Sequence, residues 1–166
     1  MPILGLNAFH ADSSACLAID GQLVAAAEEE RFRRVKHWAG FPSEASRYCL
    51  DEGGIGLADL DHVAVNQDPR ANLWRKLGYT LRHRPDIGYV LDRLRNKGKR
   101  LGVGSLLREG FPGQDLKAQI HAVEHHLCHL ASAFCVSPFE EAVVVSVDGF
   151  GDFSSAAWGV GQGSRI

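Results

Sequence analysis

Apolar and polar positions follow a clear pattern at the start of the chain. Residues 3–8 (ILGLNA) form a short apolar run, 15–20 (ACLAID) a second and 22–30 (QLVAAAEEE) a third. Asp20-Gly21 lies between the last two, and a DG pair between apolar runs is a strong hairpin signal. Three opening strands are therefore expected, the second and third forming a hairpin. The loop between the first two, Ala8 to Ser14, is short and polar and carries His10, Asp12, Ser13 and Ser14. Pro42-Ser43 marks a helix start, with Ser43 as cap, Ala45, Tyr48 and Cys49 at helical spacing, and Gly53 at the end. Residues 62–67 (HVAVNQ) are a further strand candidate.

The pattern resumes at Ala118. Residues 118–123 (AQIHAV) are strand-like, and 124–138 (EHHLCHLASAFCVSP) are helix-like up to Pro138. Residues 141–149 (EAVVVSVDG) form a near-continuous β-branched run, which predicts a strand buried on both faces. Gly149-Phe150-Gly151-Asp152 is expected to turn, and SSAAWGVGQG (154–163) to return as a strand. No internal repeat is evident. The chain stops at Arg165-Ile166 directly after a strand, so a fragment or truncated product is expected.

Between these regions the composition shifts. Eleven of the 18 Lys and Arg fall between Arg70 and Arg108, against Asp86 and Asp92, which is about +9 by count. Leu73, Leu77, Leu81, Ile87, Val90, Leu91 and Leu94 suggest amphipathic helices there. The stretch 70–116 is expected as a helical insertion between core elements, its charge a solvated face or a docking surface rather than an RNA site. For the whole chain, 45% hydrophobic and 23% charged residues with a net charge of −2 describe an ordinary globular protein. That balance gives no global pull toward nucleic acid or membrane. No apolar run approaches the ~20 residues of a membrane span, and MPILGLNAFHADSS lacks the regions of a secretory signal. Cys16, Cys49, Cys128 and Cys135 form no CxxC pair, which suits free thiols in a cytoplasmic protein.

The candidate chemistry centres on histidines. His125 and His129 stand at i and i+4 of the expected helix, so their imidazoles share a face and can reach one ion. Asp148, where an apolar strand meets a charge, is the natural third ligand, since a buried carboxylate needs a partner. His126 points about 100° away from that face, and Cys128 is read as core. Two imidazoles and a carboxylate suit Fe(II), Zn or Mn; the same spacing also fits histidines with no metal role. Gly149 and Gly151 let backbone N–H groups approach an anion, or serve a tight turn. The Ala8–Ser14 loop offers hydroxyls for phosphate and His10 for acid–base work, or is a plain polar connection. Lys36, after the charged run Glu28–Arg34, is a candidate cation for a phosphate oxygen, or the run is a solvated strand end.

Together, residues 1–67 and 118–163, with ILGLNAFHADSSACLAIDGQLVAAAEEERFRRVKH, HHLCHLASAF and VVVSVDGFGD in this order, resemble the NodU/CmcH-type O-carbamoyltransferases. The resemblance implies an α/β fold of the actin/Hsp70/sugar-kinase (ribonuclease H-like) type, a mixed sheet with flanking helices, of which residues 1–166 would be the amino-terminal lobe. It implies carbamoyl transfer from carbamoyl phosphate, through a carbamoyl adenylate made with ATP, to a hydroxyl of a small molecule such as a sugar or antibiotic. It places the metal, Fe or Zn, on His125, His129 and Asp148, and His10, Asp12 and Lys36 at the transfer site. Ser13, Ser14, Gly149 and Gly151 are the candidates for nucleotide contact. The second lobe, a further metal ligand and a YrdC-like adenylate-forming domain would lie outside these residues. The alternatives are a binding module without turnover and a relative of the tRNA threonylcarbamoyltransferases.

Overall fold

The structure, a computed structural model, describes residues 1–83 and 102–166. These divide into two compact units, Met1–Val65 with 102–121, and 66–83 with Ala122–Ile166.

In the first unit β1 (Pro2–Asn7), β2 (Ser14–Ile19) and β3 (Gln22–Glu28) are antiparallel neighbours, as the DG turn predicts. Asp20 and Gly21 both take positive φ, 51° and 79°, the conformation that a two-residue hairpin turn demands. β4 (His62–Val65) runs parallel to β1, and β5 (Gln119–Ala122) completes a mixed sheet of order β3-β2-β1-β4-β5. Alternation decides which side is covered. Leu4, Leu6, Ala15, Leu17, Val63 and Val65 face a core closed by Ala45, Cys49 and Leu50 of α2 (Ser43–Glu52). Each fully buried leucine contributes roughly 2 kcal/mol by transfer from water. A short helix α1 (Glu30–Arg33) follows β3.

Ser43 does not cap α2: it is the first helical residue, and no side chain of the adjoining Pro42 serves either. Glu29 does the work from a distance. Its buried carboxylate accepts the N–H groups of Ala45 (2.8 Å) and Glu44 (3.3 Å) and is paired with Arg33 at 2.6 Å. Two orphan donors of the first helical turn are thereby satisfied, and the N–H groups of Ser43 and Ser46 go to the carbonyls of Phe41 and Pro42.

Of the expected insertion, residues 84–101 lie outside the described residues. On either side of them are α3 (Leu73–His83), in the second unit, and α4 (Val103–Gly110), in the first. Leu107 of α4 and Phe111 after it join the first unit's core.

In the second unit α5 (His125–Phe134) packs on a hairpin of β6 (Glu141–Gly151) and β7 (Ser154–Gln162). Its core is Leu130, Phe134 and Val144, with Ala142 and Ala157 at the margin. Two expectations are corrected here. β6 is not buried on both faces: Val143, Val145 and Val147 are 71%, 64% and 82% exposed. Among the described residues the hairpin has only two strands, and α5 covers the face that carries Val144 and Ser146. Nor do residues 149–152 form the turn. β6 continues, with an irregularity after Val147, to Gly151, and the chain reverses at Asp152-Phe153, with φ of 45° and 68°. Positive φ costs a β-carbon-bearing residue about 1–2 kcal/mol. Phe153 offsets this by edge-on contacts with Tyr79 and Phe150.

Candidate metal centre

α5 begins at His125, so His125 and His129 stand one turn apart on the face turned toward β6. His125 Nε2 lies 2.6 Å from Asp148 Oδ2 and 3.1 Å from His129 Nε2, and His129 Nε2 lies 3.3 Å from the same carboxylate oxygen. Donors held ~2.1 Å from one ion in octahedral or tetrahedral geometry stand about 3.0–3.4 Å from one another. Two sides of the observed triangle, 3.1 and 3.3 Å, have that size; the third, at 2.6 Å, is a hydrogen bond that would lengthen by a few tenths of an ångström around an ion, and the three residues could hold one. Two imidazole nitrogens and one carboxylate, with other positions open, form a donor set suited to Fe(II), Zn or Mn.

Asp148 differs from expectation in its setting: its side chain is 38% exposed rather than buried. The hydrogen bond from His125, and after it the 2.6 Å bond from the Gly149 N–H, lower its pKa to about 2. The carboxylate is therefore ionised throughout the neutral range and open to a cation. His125 is buried and His129 exposed, so the triangle faces outward from a covered base. His126 does not join it. It is fully buried, and its Nδ1 shares a 2.9 Å hydrogen bond with Ser146 Oγ.

The two glycines after Asp148 differ sharply. A β-carbon at Gly149 would meet nothing within 4 Å. A β-carbon at Gly151 would lie 2.6 Å from His125 Nε2 and closer still to the ring carbons. Gly151 is thus required where the imidazole lies flat on the strand. Asp152, to which sequence reasoning gave no role, accepts the His125 N–H (3.0 Å) and the Asp68 N–H (2.8 Å) on one oxygen, and its carbonyl accepts Asn72 Nδ2 (3.0 Å).

The first unit holds the remaining candidates. Asp12 Oδ1 meets His37 Nδ1 at 2.9 Å, and the bond and charge of Asp12 raise the pKa of His37. Ser13 is fully buried, its hydroxyl set to donate to the carbonyls of His10 (3.0 Å) or Gly40 (2.8 Å), so it braces the loop from within. Ser14 begins β2 opposite Asn7, and Lys36 is exposed. Phe9, Asp12, Arg34 and His37 all take positive φ, and the 8–13 and 34–40 segments are cross-linked by Phe9 N–H to Gly40 O (3.1 Å) and Ser13 N–H to Trp38 O (2.9 Å). Sequence reasoning missed Glu29 and His37. The only signals were Arg33 four residues after Glu29, and His37 beside Lys36. Burial holds the thiols of Cys49 and Cys128 near about 11, which suits inert thiols. No helix among the described residues is long and apolar enough to cross a membrane.

Residues 2–166 match the family described as "Carbamoyltransferase N-terminus". The chain is 35% identical over 172 residues to the uncharacterized protein sll1178 of Synechocystis, covering 99% of this chain and 28% of that protein. It is 35% identical over 160 residues to the nodulation protein NolNO of Sinorhizobium fredii, covering 96% of this chain and 22% of the relative. The chain thus spans about a quarter of the length of these curated relatives. Among solved structures, YeaZ from Pseudomonas aeruginosa superposes with a TM-score of 0.47 at 16% identity, over 98% of this chain and 60% of that one.

Proposed function

The chain belongs to the carbamoyltransferase family by its amino-terminal domain, and on that premise we propose that it is the part of an O-carbamoyltransferase that holds a divalent metal ion. The transferred group comes from carbamoyl phosphate by way of a carbamoyl adenylate made with ATP, and the acceptor is a hydroxyl of a small molecule. A second lobe and a YrdC-like domain on the rest of the protein make the adenylate and complete the site.

The observation that carries this reading is the triangle of His125, His129 and Asp148, whose three donor atoms stand 2.6–3.3 Å apart. His125, His129 and Asp148 would hold Fe or Zn, which would supply positive charge for phosphate or carbonyl oxygens. The chain's own residues do the rest. Asp148, ionised through the neutral range, holds the charge that the ion answers. His10 accepts the proton of the acceptor hydroxyl, and Asp12 keeps the adjoining His37 charged to higher pH. Lys36, exposed, offers a cation to the phosphate or carbamoyl oxygen. Ser14 of β2, and separately Gly149 and Gly151 of β6, are each offered as contacts for nucleotide phosphate. Ser13 supports that loop from beneath.

The test is metal content and turnover in the full-length protein. His125→Ala and His129→Ala are expected to lose bound metal, and His126→Ala to keep most of it. Equal metal in all three variants sinks the ligand assignment. Metal retained without carbamoylation of any hydroxyl acceptor, when ATP and carbamoyl phosphate are supplied, favours a binding module instead.

A further inference from the structure

His125 is attached to the β6–β7 hairpin at two points. Its side chain reaches Asp148 at 2.6 Å, and its backbone N–H reaches the Asp152 carboxylate at 3.0 Å. Between these two acids Gly151 lies against the imidazole face. The attachments close a ring through one residue of α5 and five of the hairpin. Inside such a ring the imidazole can neither slide along the strand nor tip away from it without breaking a bond.

Asp152 is placed for this at a cost. It holds a left-handed backbone, φ 45°, and gives one oxygen to two N–H groups, those of His125 and Asp68. Non-glycine residues in that region persist where surrounding contacts over-determine them, often at ligand sites. The helix has a local cap as well, since the Glu124 carboxylate accepts the Leu127 N–H at 2.7 Å. A second acid from the hairpin adds a fixed position for His125, which a local cap cannot give.

We propose that Asp152 is the positioning residue of the metal centre, holding His125 in register with Asp148 through its backbone N–H. This rests on the metal reading above, and the experiment separates the two. Cobalt(II) is titrated into the full-length protein, and both affinity and visible ligand-field spectrum are recorded. Asp152→Ala is expected to weaken cobalt binding by about 10–100-fold, the usual cost of losing a group that orients a ligand, and to change the spectrum. Asp152→Asn, whose amide oxygen accepts the same two N–H groups, restores both. An Asp152→Ala protein with wild-type affinity and spectrum overturns the proposal. So does a loss that Asp152→Asn fails to rescue, because charge and not position would then be at work. If the alanine variant does not fold, the wild type decides. A scalar coupling across the hydrogen bond between the His125 amide nitrogen and the Asp152 carboxyl carbon is expected, and its absence overturns the proposal. A wild-type protein that binds no cobalt sinks the metal reading, while that coupling still tests the geometry.

Discussion

A methyl group added at Gly151 would lie 2.6 Å from His125 Nε2, with the ring carbons closer still. Ordinary contact between such atoms is about 3.5–4.0 Å, so the imidazole must retreat by about 1 Å. A retreat of that size takes Nε2 from 2.6 Å beyond hydrogen-bonding distance of Asp148. It also exceeds the roughly 0.2 Å tolerance of a metal–ligand distance. Overpacking of this kind costs about 1–3 kcal/mol, which for a chain of this length lowers Tm by roughly 2–12 °C. Gly151→Ala is therefore expected to melt a few degrees early and to bind cobalt(II) or zinc at least about tenfold more weakly. The pKa of Asp148 should rise from about 2, because the His125 bond is the largest cause of its lowering. Gly149→Ala is the control: its β-carbon meets nothing within 4 Å, and the Gly149 N–H to Asp148 is kept. Competition with a chromophoric chelator reads the affinities, and NMR titration of the carboxyl carbon reads the pKa. Equal affinities for the two alanine variants would refute the claim that the imidazole is seated on Gly151.

Three further outcomes follow from other parts of the molecule. Glu29→Ala removes a fully buried carboxylate that accepts two N–H groups of α2 and pairs with Arg33, so denaturant unfolding should show a loss of about 2–4 kcal/mol; a loss under 1 kcal/mol would deny it the capping role. Asp12→Asn removes the two main causes that raise the pKa of His37, so NMR should find His37 titrating at lower pH in the variant. In the wild type that pair is intact below the ordinary histidine value and is lost as pH rises through the raised one, so an unchanged titration would mean that the contact is absent in solution. His126, with Nδ1 on Ser146 and Nε2 meeting no hydrogen-bond partner among the described residues, should carry its proton on Nδ1, and ring nitrogen shifts showing the other tautomer would reverse the donor and acceptor.

The opening hairpin and the histidine pair were legible because each depends on short spacing: a DG turn in one case and one helical turn in the other. Asp148 was legible as the charge that interrupts an apolar strand. Contacts across long separations were not. Glu29 looks like one of three surface acids, and only its contact with α2, sixteen residues on, buries it. Asp152 gains its role from N–H groups 27 and 84 residues away. The turn was misplaced because Gly149 and Gly151 suggest a reversal. Gly151 serves close approach instead, while Asp152 and Phe153 adopt the turn conformation. The valine run suggested two covered faces because β-branched residues favour burial. In this chain α5 covers the alternate face, so Val144 is buried and its neighbours Val143 and Val145 are not.

The distance between α5 and the hairpin sets the geometry of the centre, and that distance is set by small residues. Ala142 pairs with Gly161 and Val144 with Gly159 across the covered face of β6 and β7, and Ala157 pairs with Ser146. A β-carbon at Gly161 would lie 2.6 Å from the Phe134 ring, as one at Gly151 would from His125. The helix therefore rests on glycine at both ends, through His125 at its first turn and Phe134 at its last. With a floor of larger side chains, packed helix and sheet would stand farther apart. An imidazole on the helix could not then come within 2.6 Å of a carboxylate on the strand. The i,i+4 pair supplies two donors wherever it occurs on a helix. Here the glycine floor is what brings the third within their reach, so the flatness of the strand surface is as much a part of the proposed centre as the residues proposed to hold the ion.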